Sequence, residues 1–90
     1  MNQYEQDQYL LVFSSHNQAV FLFNKLIKKG YKIELISTPC TISSGCTQSI
    51  KFMGKDMQTI RNEAQISNMR VKGVYKIIKK GIKYTYIKII

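Results

Sequence analysis

The chain has no tryptophan, one proline, two cysteines, one histidine and only five acidic residues against fourteen basic ones. Each shortage closes off a class of protein. A single proline in 90 residues leaves no room for a proline-rich linker or recognition segment. Two cysteines are too few for the disulfide framework that props up small secreted domains. No apolar run approaches the roughly 20 residues that a membrane-spanning helix needs. The opening MNQYEQDQ carries two acids and no basic residue, unlike the positively charged start of a secretory signal. We therefore expect a cytoplasmic protein with no membrane association. The two cysteines and His16 offer three metal ligands at unusual spacing, below the four of a structural zinc site, so we expect no metal and no cofactor. Asp7 and Asp56 are the only aspartates. Nothing in the sequence fixes either near His16, so a Ser-His-Asp hydrolase is unsupported.

What remains is 44% hydrophobic and 11% aromatic, the make-up of one small globular domain with a modest core. The net charge of +9 favours polyanions in general: nucleic acid, an acidic protein or anionic lipid. Twelve of the fourteen basic residues are lysine, and Lys, Ile, Asn and Tyr are abundant, as in an AT-rich genome. We read the charge first as a solvated, compositionally biased surface and treat nucleic acid as the lesser alternative.

Periodicity gives the element order. Tyr9-Leu10-Leu11-Val12-Phe13 reads as a buried strand. Ser14 or Ser15 then caps a helix whose apolar face is Ala19, Phe23, Leu26 and Ile27, widened by Val20 and Leu22. Lys28, Lys29 and Gly30 end it, cations suiting the negative end of the dipole and glycine a left-handed stop. Residues 31–36 read as a second strand, ended by Pro39, and 47–53 as a third, with Ile50 and Phe52 on one face. After Gly54, the positions of Met57, Ile60, Ala64 and Ile66 predict a second amphipathic helix ending near Asn68. Residues 71–78 read as a fourth strand, 79–83 as a turn, and 84–90 as a fifth strand pairing back on the fourth. The order β-α-β-β-α-β matches an α+β, ferredoxin-like sandwich: an antiparallel sheet with both helices on one face, plus an extra C-terminal strand.

That topology gives meaning to the stretch STPCTISSGCTQ, residues 37–48, which holds both cysteines and no charged side chain. The exit of the first strand, the start of the first helix and the connection between the second and third strands all fall at one end of the sheet. Ser14, Ser15 and His16 should sit near the Cys40-to-Cys46 loop, with Asn68 and Arg70 approaching from the second helix. A helix N-terminus presents free N–H groups and partial positive charge, which favours a thiolate. Ser43, Ser44 and Gly45 add N–H and hydroxyl donors immediately before Cys46, and glycine lets the backbone turn tightly there. Ser43, Ser44, Gly45, Ser15 and His16 are thus the candidate anion-binding residues, and Cys46 with Cys40 the candidate reactive pair. The competing readings are a buried cysteine acting as a small hydrophobe, ordinary turn chemistry for Ser-Ser-Gly, and a surface role for His16.

The segment from Tyr9 to Tyr75 resembles the selenium/sulfur carrier protein-like domains. The likeness is carried by YLLVFSS, by Gln18-Ala19 on the helix, and above all by TPCTISSGCTQSIKF, in which Thr38, Pro39, Ile42, Ser43 and Cys46 match the family pattern in register. VKGVYKI looks like the family's closing strand. Thr47 stands where the family usually has glycine, and Cys40 where it commonly has arginine, which removes an anion partner and adds a second thiol. The chain after Lys83 runs beyond the usual family end. The resemblance implies a lead at residues 1–8, a carrier-type domain at 9–78 and a hairpin extension at 79–90. It implies a sulfur or selenium carrier, or an accessory protein, rather than a stand-alone enzyme. Cys46 would hold the persulfide or its selenium equivalent between donor and acceptor proteins, and Cys40 would act as the resolving thiol. The alternative is a non-catalytic binding or dimerisation module for nucleic acid, a small ligand or a protein partner. RNA readers of this topology stack bases on central-strand aromatics; Phe13 and Phe52 lie on those strands, where both could equally face the core. YTYIKII alternates and offers an edge for pairing, so a homodimer is compatible with either reading.

Overall fold

The computed structural model describes residues 7–42 and 48–90. Strand β1 (Gln8–Phe13) leads into helix α1 (His16–Lys28), followed by β2 (Glu34–Ser37) and β3 (Gln48–Met53). A 3-10 turn at Gly54–Asp56 opens helix α2 (Met57–Ile66), and β4 (Val71–Lys80) and β5 (Lys83–Lys88) close the chain. The fold is α+β, with a five-stranded sheet in the order β2-β3-β1-β4-β5, every pairing antiparallel. With β5 outside β4, the order is not that of a plain four-stranded ferredoxin-like sandwich.

The main core cluster lies on one face of this sheet, while Leu10 and Val12 are fully buried on the other. Tyr9, Leu11 and Phe13 of β1 join Ile50, Phe52 and Val74 with Ala19, Leu22 and Leu26 of α1 and Met57, Ile60 and Ala64 of α2. Side chains alternate along a strand, so these residues define the helix-covered face, and both helices pack there. Burying each large aliphatic contributes about 1.5–3 kcal/mol. Leu22 is central to the α1 face, whereas Ile27, expected on it, is 45% exposed. Phe13 and Phe52 are also core residues, at 0% and 1% exposure. Of the two facings open to them, the core is the one adopted, so neither ring is available to stack bases.

Both helices stop by the same device. At the end of α1, Gly30 N–H donates to Ile27 O (3.0 Å) and Tyr31 N–H to Leu26 O (3.2 Å), with Gly30 at φ 92°. At the end of α2, Asn68 N–H donates to Gln65 O (3.0 Å) and Met69 N–H to Ala64 O (2.9 Å), with Asn68 at φ 55°. These are Schellman motifs, each with a left-handed residue at the position that reverses the chain. The first explains why β2 starts at Glu34 and not at Tyr31: Tyr31 is spent closing the helix, and it packs on the core with Ile33. The β4–β5 turn is shorter than the expected 79–83. Lys80 pairs with Lys83, leaving Gly81 and Ile82 as the connection. Gly81 at φ 62° supplies the positive φ that a type II′ hairpin needs at its first central residue.

The two helices are also tied electrostatically. Glu63 of α2 lies 2.7 Å from Lys29 Nζ and 3.0 Å from Lys25 Nζ. Its carboxyl is held below the ordinary carboxylate range, first by the hydrogen bond from Lys29 and then by the ammonium of Lys25.

Candidate functional site

The cysteine-bearing connection joins β2 to β3, and the strand register fixes what surrounds its two roots. Ser37 pairs with Gln48 and Ile36 with Ser49, while Ser49 pairs on its other side with Val12 of β1. The end of β1 therefore lies beside the start of β3. Phe13 in turn pairs with Val71, which brings the start of β4 to the same end. The rim consists of 14–16, 38–42, 48–49 and 68–71, the set of segments anticipated from topology.

The roots are pinned by a buried hydroxyl pair. Thr38 Oγ1 and Ser49 Oγ are 2.6 Å apart, with Thr38 7% and Ser49 0% exposed. Such a pair satisfies two groups that would each be costly to bury alone. Beyond it, Ile42 N–H donates to Pro39 O at 2.9 Å, folding 39–42 into a tight turn with the free thiol of Cys40 exposed to solvent.

At the same end of the sheet, β1 leads into the start of α1. Ser15 is the N-cap, in extended conformation (φ −122°, ψ 127°), and its hydroxyl accepts from Gln18 N–H at 3.4 Å. His16, the first helical residue, is exposed, and the first turn contains no acidic residue. The positive end of this dipole is therefore not offset by a carboxylate of its own turn. Gln18 reaches out of the helix: its side-chain oxygen accepts from Arg70 N–H at 2.9 Å. With the 3.4 Å bond from Ser14 N–H to Arg70 O, this ties the segment before β4 to the start of α1. Arg70 is exposed.

Of the sequence-predicted site residues, Ser15, His16 and Cys40 lie on segments at this end of the sheet. Ser43, Ser44, Gly45 and Cys46 lie outside the described residues. Two features went unread in the sequence: the Thr38–Ser49 pair and the Gln18 bridge. The first had little signal, since Ser49 alternates with the core-facing Ile50 onto the face that also carries the partly exposed Lys51, where strand position alone does not fix burial. The second had none. Among the described residues, no three His, Cys, Asp or Glu side chains converge to hold a metal ion, and no helix is long and apolar enough to cross a membrane.

No curated protein and no solved structure matches the chain. Residues 8–76, from the first residue of β1 to the middle of β4, match the profile of the family described as "Putative Se/S carrier protein-like". The match takes in the cysteine connection and every rim segment around it. The chain belongs to this Se/S carrier protein-like family.

Proposed function

We propose that the protein carries sulfur or selenium on Cys46, between a donor and an acceptor protein. The observation that supports this best is the family match over 8–76, which spans the cysteine connection. In this reading the Cys46 thiolate attacks the outer sulfur of a donor persulfide. A new S–S bond forms on Cys46, the donor's S–S bond breaks, and the donor leaves as its thiolate. Selenium is accepted through the corresponding S–Se bond. Ser43, Ser44 and Gly45 supply donors to the bound anion, with Ser15 and His16 at the helix start opposite. Cys40, free and exposed, is the resolving thiol: it attacks the inner sulfur of the loaded Cys46, forms a Cys40–Cys46 disulfide and releases hydrosulfide. A dithiol reductant then restores both thiols.

We assign this role to the unit 9–78, read as a ferredoxin-like β-α-β-β-α-β arrangement, with 1–8 as a lead and 79–90 as a hairpin extension. The protein acts as a carrier or accessory protein in the cytoplasm, alongside its donor and acceptor. The test is intact-mass spectrometry after incubation with a persulfide-generating donor. Cys40→Ser should gain and hold sulfur at Cys46, the parent protein should pass on to the Cys40–Cys46 disulfide, and Cys46→Ser should gain none. Equal loading of Cys46→Ser and Cys40→Ser would end the carrier reading.

A further inference from the structure

We propose that the sheet face turned away from the helices, on its β4–β5 side, binds single-stranded nucleic acid. Bases would stack on tyrosines, and lysines would neutralise the phosphates. The surface is separate from the cysteine rim and does not depend on the carrier reading.

The assignment follows from register. Leu10 alternates with Tyr9 and Leu11 of the helix-side core, so it faces the other way, where it is itself fully buried and marks the inner border of the exposed patch. Tyr75 pairs with Leu10, and so does Lys51. The pairs Tyr75 with Lys88, Ile77 with Tyr86 and Lys79 with Tyr84 carry that face across to β5. Tyr75, Tyr84 and Tyr86, the three tyrosines of the hairpin, therefore share the helix-free face with Lys79 and Lys88, and with Lys51 farther across the sheet, where it pairs with Glu34. The opposite side of the same strands carries no aromatic residue. Tyr84 is 55% exposed, and Tyr75 and Tyr86 are half-buried. Positions two apart on one strand are separated by about 7 Å, so Tyr84 and Tyr86 offer two successive rings along β5. Lys79 Nζ lies 5.9 Å from the centre of the Tyr84 ring, placing a cation within reach of a base stacked there.

Charge selects the occupant. Residues 71–90 contain no acidic residue, and of their six lysines Lys79 and Lys88 lie on this face. Lys72, Lys76, Lys80 and Lys83 alternate onto the other face, where Lys76 meets Asp7 at 3.2 Å. A second copy of the chain would bring another net +9 against the same face, which opposes self-association there. Duplex nucleic acid offers phosphates but keeps its base faces stacked, leaving the rings unused. A single strand uses both: aromatic stacking tolerates any base, and the lysines follow the backbone. Most of this surface, from Ile77 onward, lies beyond the family match at 8–76.

Fluorescence anisotropy with a labelled oligouridine, from about 50 to 200 mM salt, tests the proposal on the full chain. The single strand should bind more tightly than a duplex of equal length. Tyr84→Leu and Tyr86→Leu should each weaken binding by about fivefold or more with the salt slope unchanged, and Tyr84→Phe should bind like the parent protein. Lys79→Gln and Lys88→Gln should each lower the slope by about 0.7. Circular dichroism checks that each variant is folded. If the half-buried Tyr86 does not tolerate leucine, Tyr84→Leu and the strand-versus-duplex comparison still decide. Equal affinity for duplex and single strand, or leucine variants that bind like the parent protein, would reduce the interaction to charge alone and overturn the proposal.

Discussion

The buried hydroxyl pair at the root of the cysteine connection gives a sharp test of how that connection is held. Ser49→Ala removes one partner and leaves Thr38 Oγ1, in a residue only 7% exposed, without its 2.6 Å bond. An unsatisfied buried hydroxyl costs about 1–3 kcal/mol, whereas replacing both partners by apolar groups of similar shape is close to neutral. Thr38→Val should cost a similar amount, because it strands the Ser49 hydroxyl at 0% exposure. The double variant should lose less than the two singles added together, with a coupling of about 1 kcal/mol or more. For a domain of this size, 1 kcal/mol corresponds to roughly 4–8 °C in the melting temperature, and urea titration resolves it as well. Each single variant should also lower sulfur loading on Cys46, with the double variant partly recovered. Additive losses would show that the two hydroxyls are not bonded in solution, and the pinning of the connection would fall with them.

Two further predictions concern the helices. Glu63 has a lowered pKa in the folded protein, so the folded state binds fewer protons than the unfolded chain as pH falls. Its stabilising effect is complete above the ordinary value of 4.5 and is lost as pH drops through the lowered folded value. Chemical denaturation across that acid range should show a shallower pH dependence for Glu63→Gln than for the parent protein; identical slopes would refute the double lysine contact. At Asn68, φ 55°, a valine should cost about 1–2 kcal/mol, since a branched side chain clashes in the left-handed region. Glycine should be neutral or slightly stabilising, and a valine variant as stable as the parent protein in urea would contradict the α2 stop.

Much of this was legible because the strongest patterns were local. The run Tyr9–Phe13, the cap at Ser15, the stop at Gly30 and the spacing of Met57, Ile60 and Ala64 in α2 each carry their meaning within a few residues, whereas Ile66, expected on the same face, is 74% exposed. The misread boundaries are places where two local rules compete. Tyr31 and Ile33 alternate as a strand would, but the Schellman closure claims Tyr31 first. The lysines at 79, 80 and 83 look like turn residues, yet the hairpin needs only Gly81 and Ile82, and strand pairing extends through Lys80 and Lys83. Facing was harder still. Phe13 and Phe52 sit on inner strands, and only the pairing partners show that they point to the helices while Tyr75, Tyr84 and Tyr86 point away. Composition reads the lysines as general surface charge, and it carries no information on which of them share a face with those rings.

The central claim is that the rim formed by the α1 start and the β2–β3 connection makes Cys46 a reactive thiolate. The rate of alkylation of Cys46, followed by peptide mass spectrometry against pH in the native protein and in Cys40→Ser, tests it most directly. We predict a midpoint clearly below the roughly 8.5 of a free cysteine, unchanged in Cys40→Ser and shifted upward on unfolding in urea. A midpoint at or above that of a free thiol, or a Cys46 that reacts only once the protein is unfolded, would contradict it.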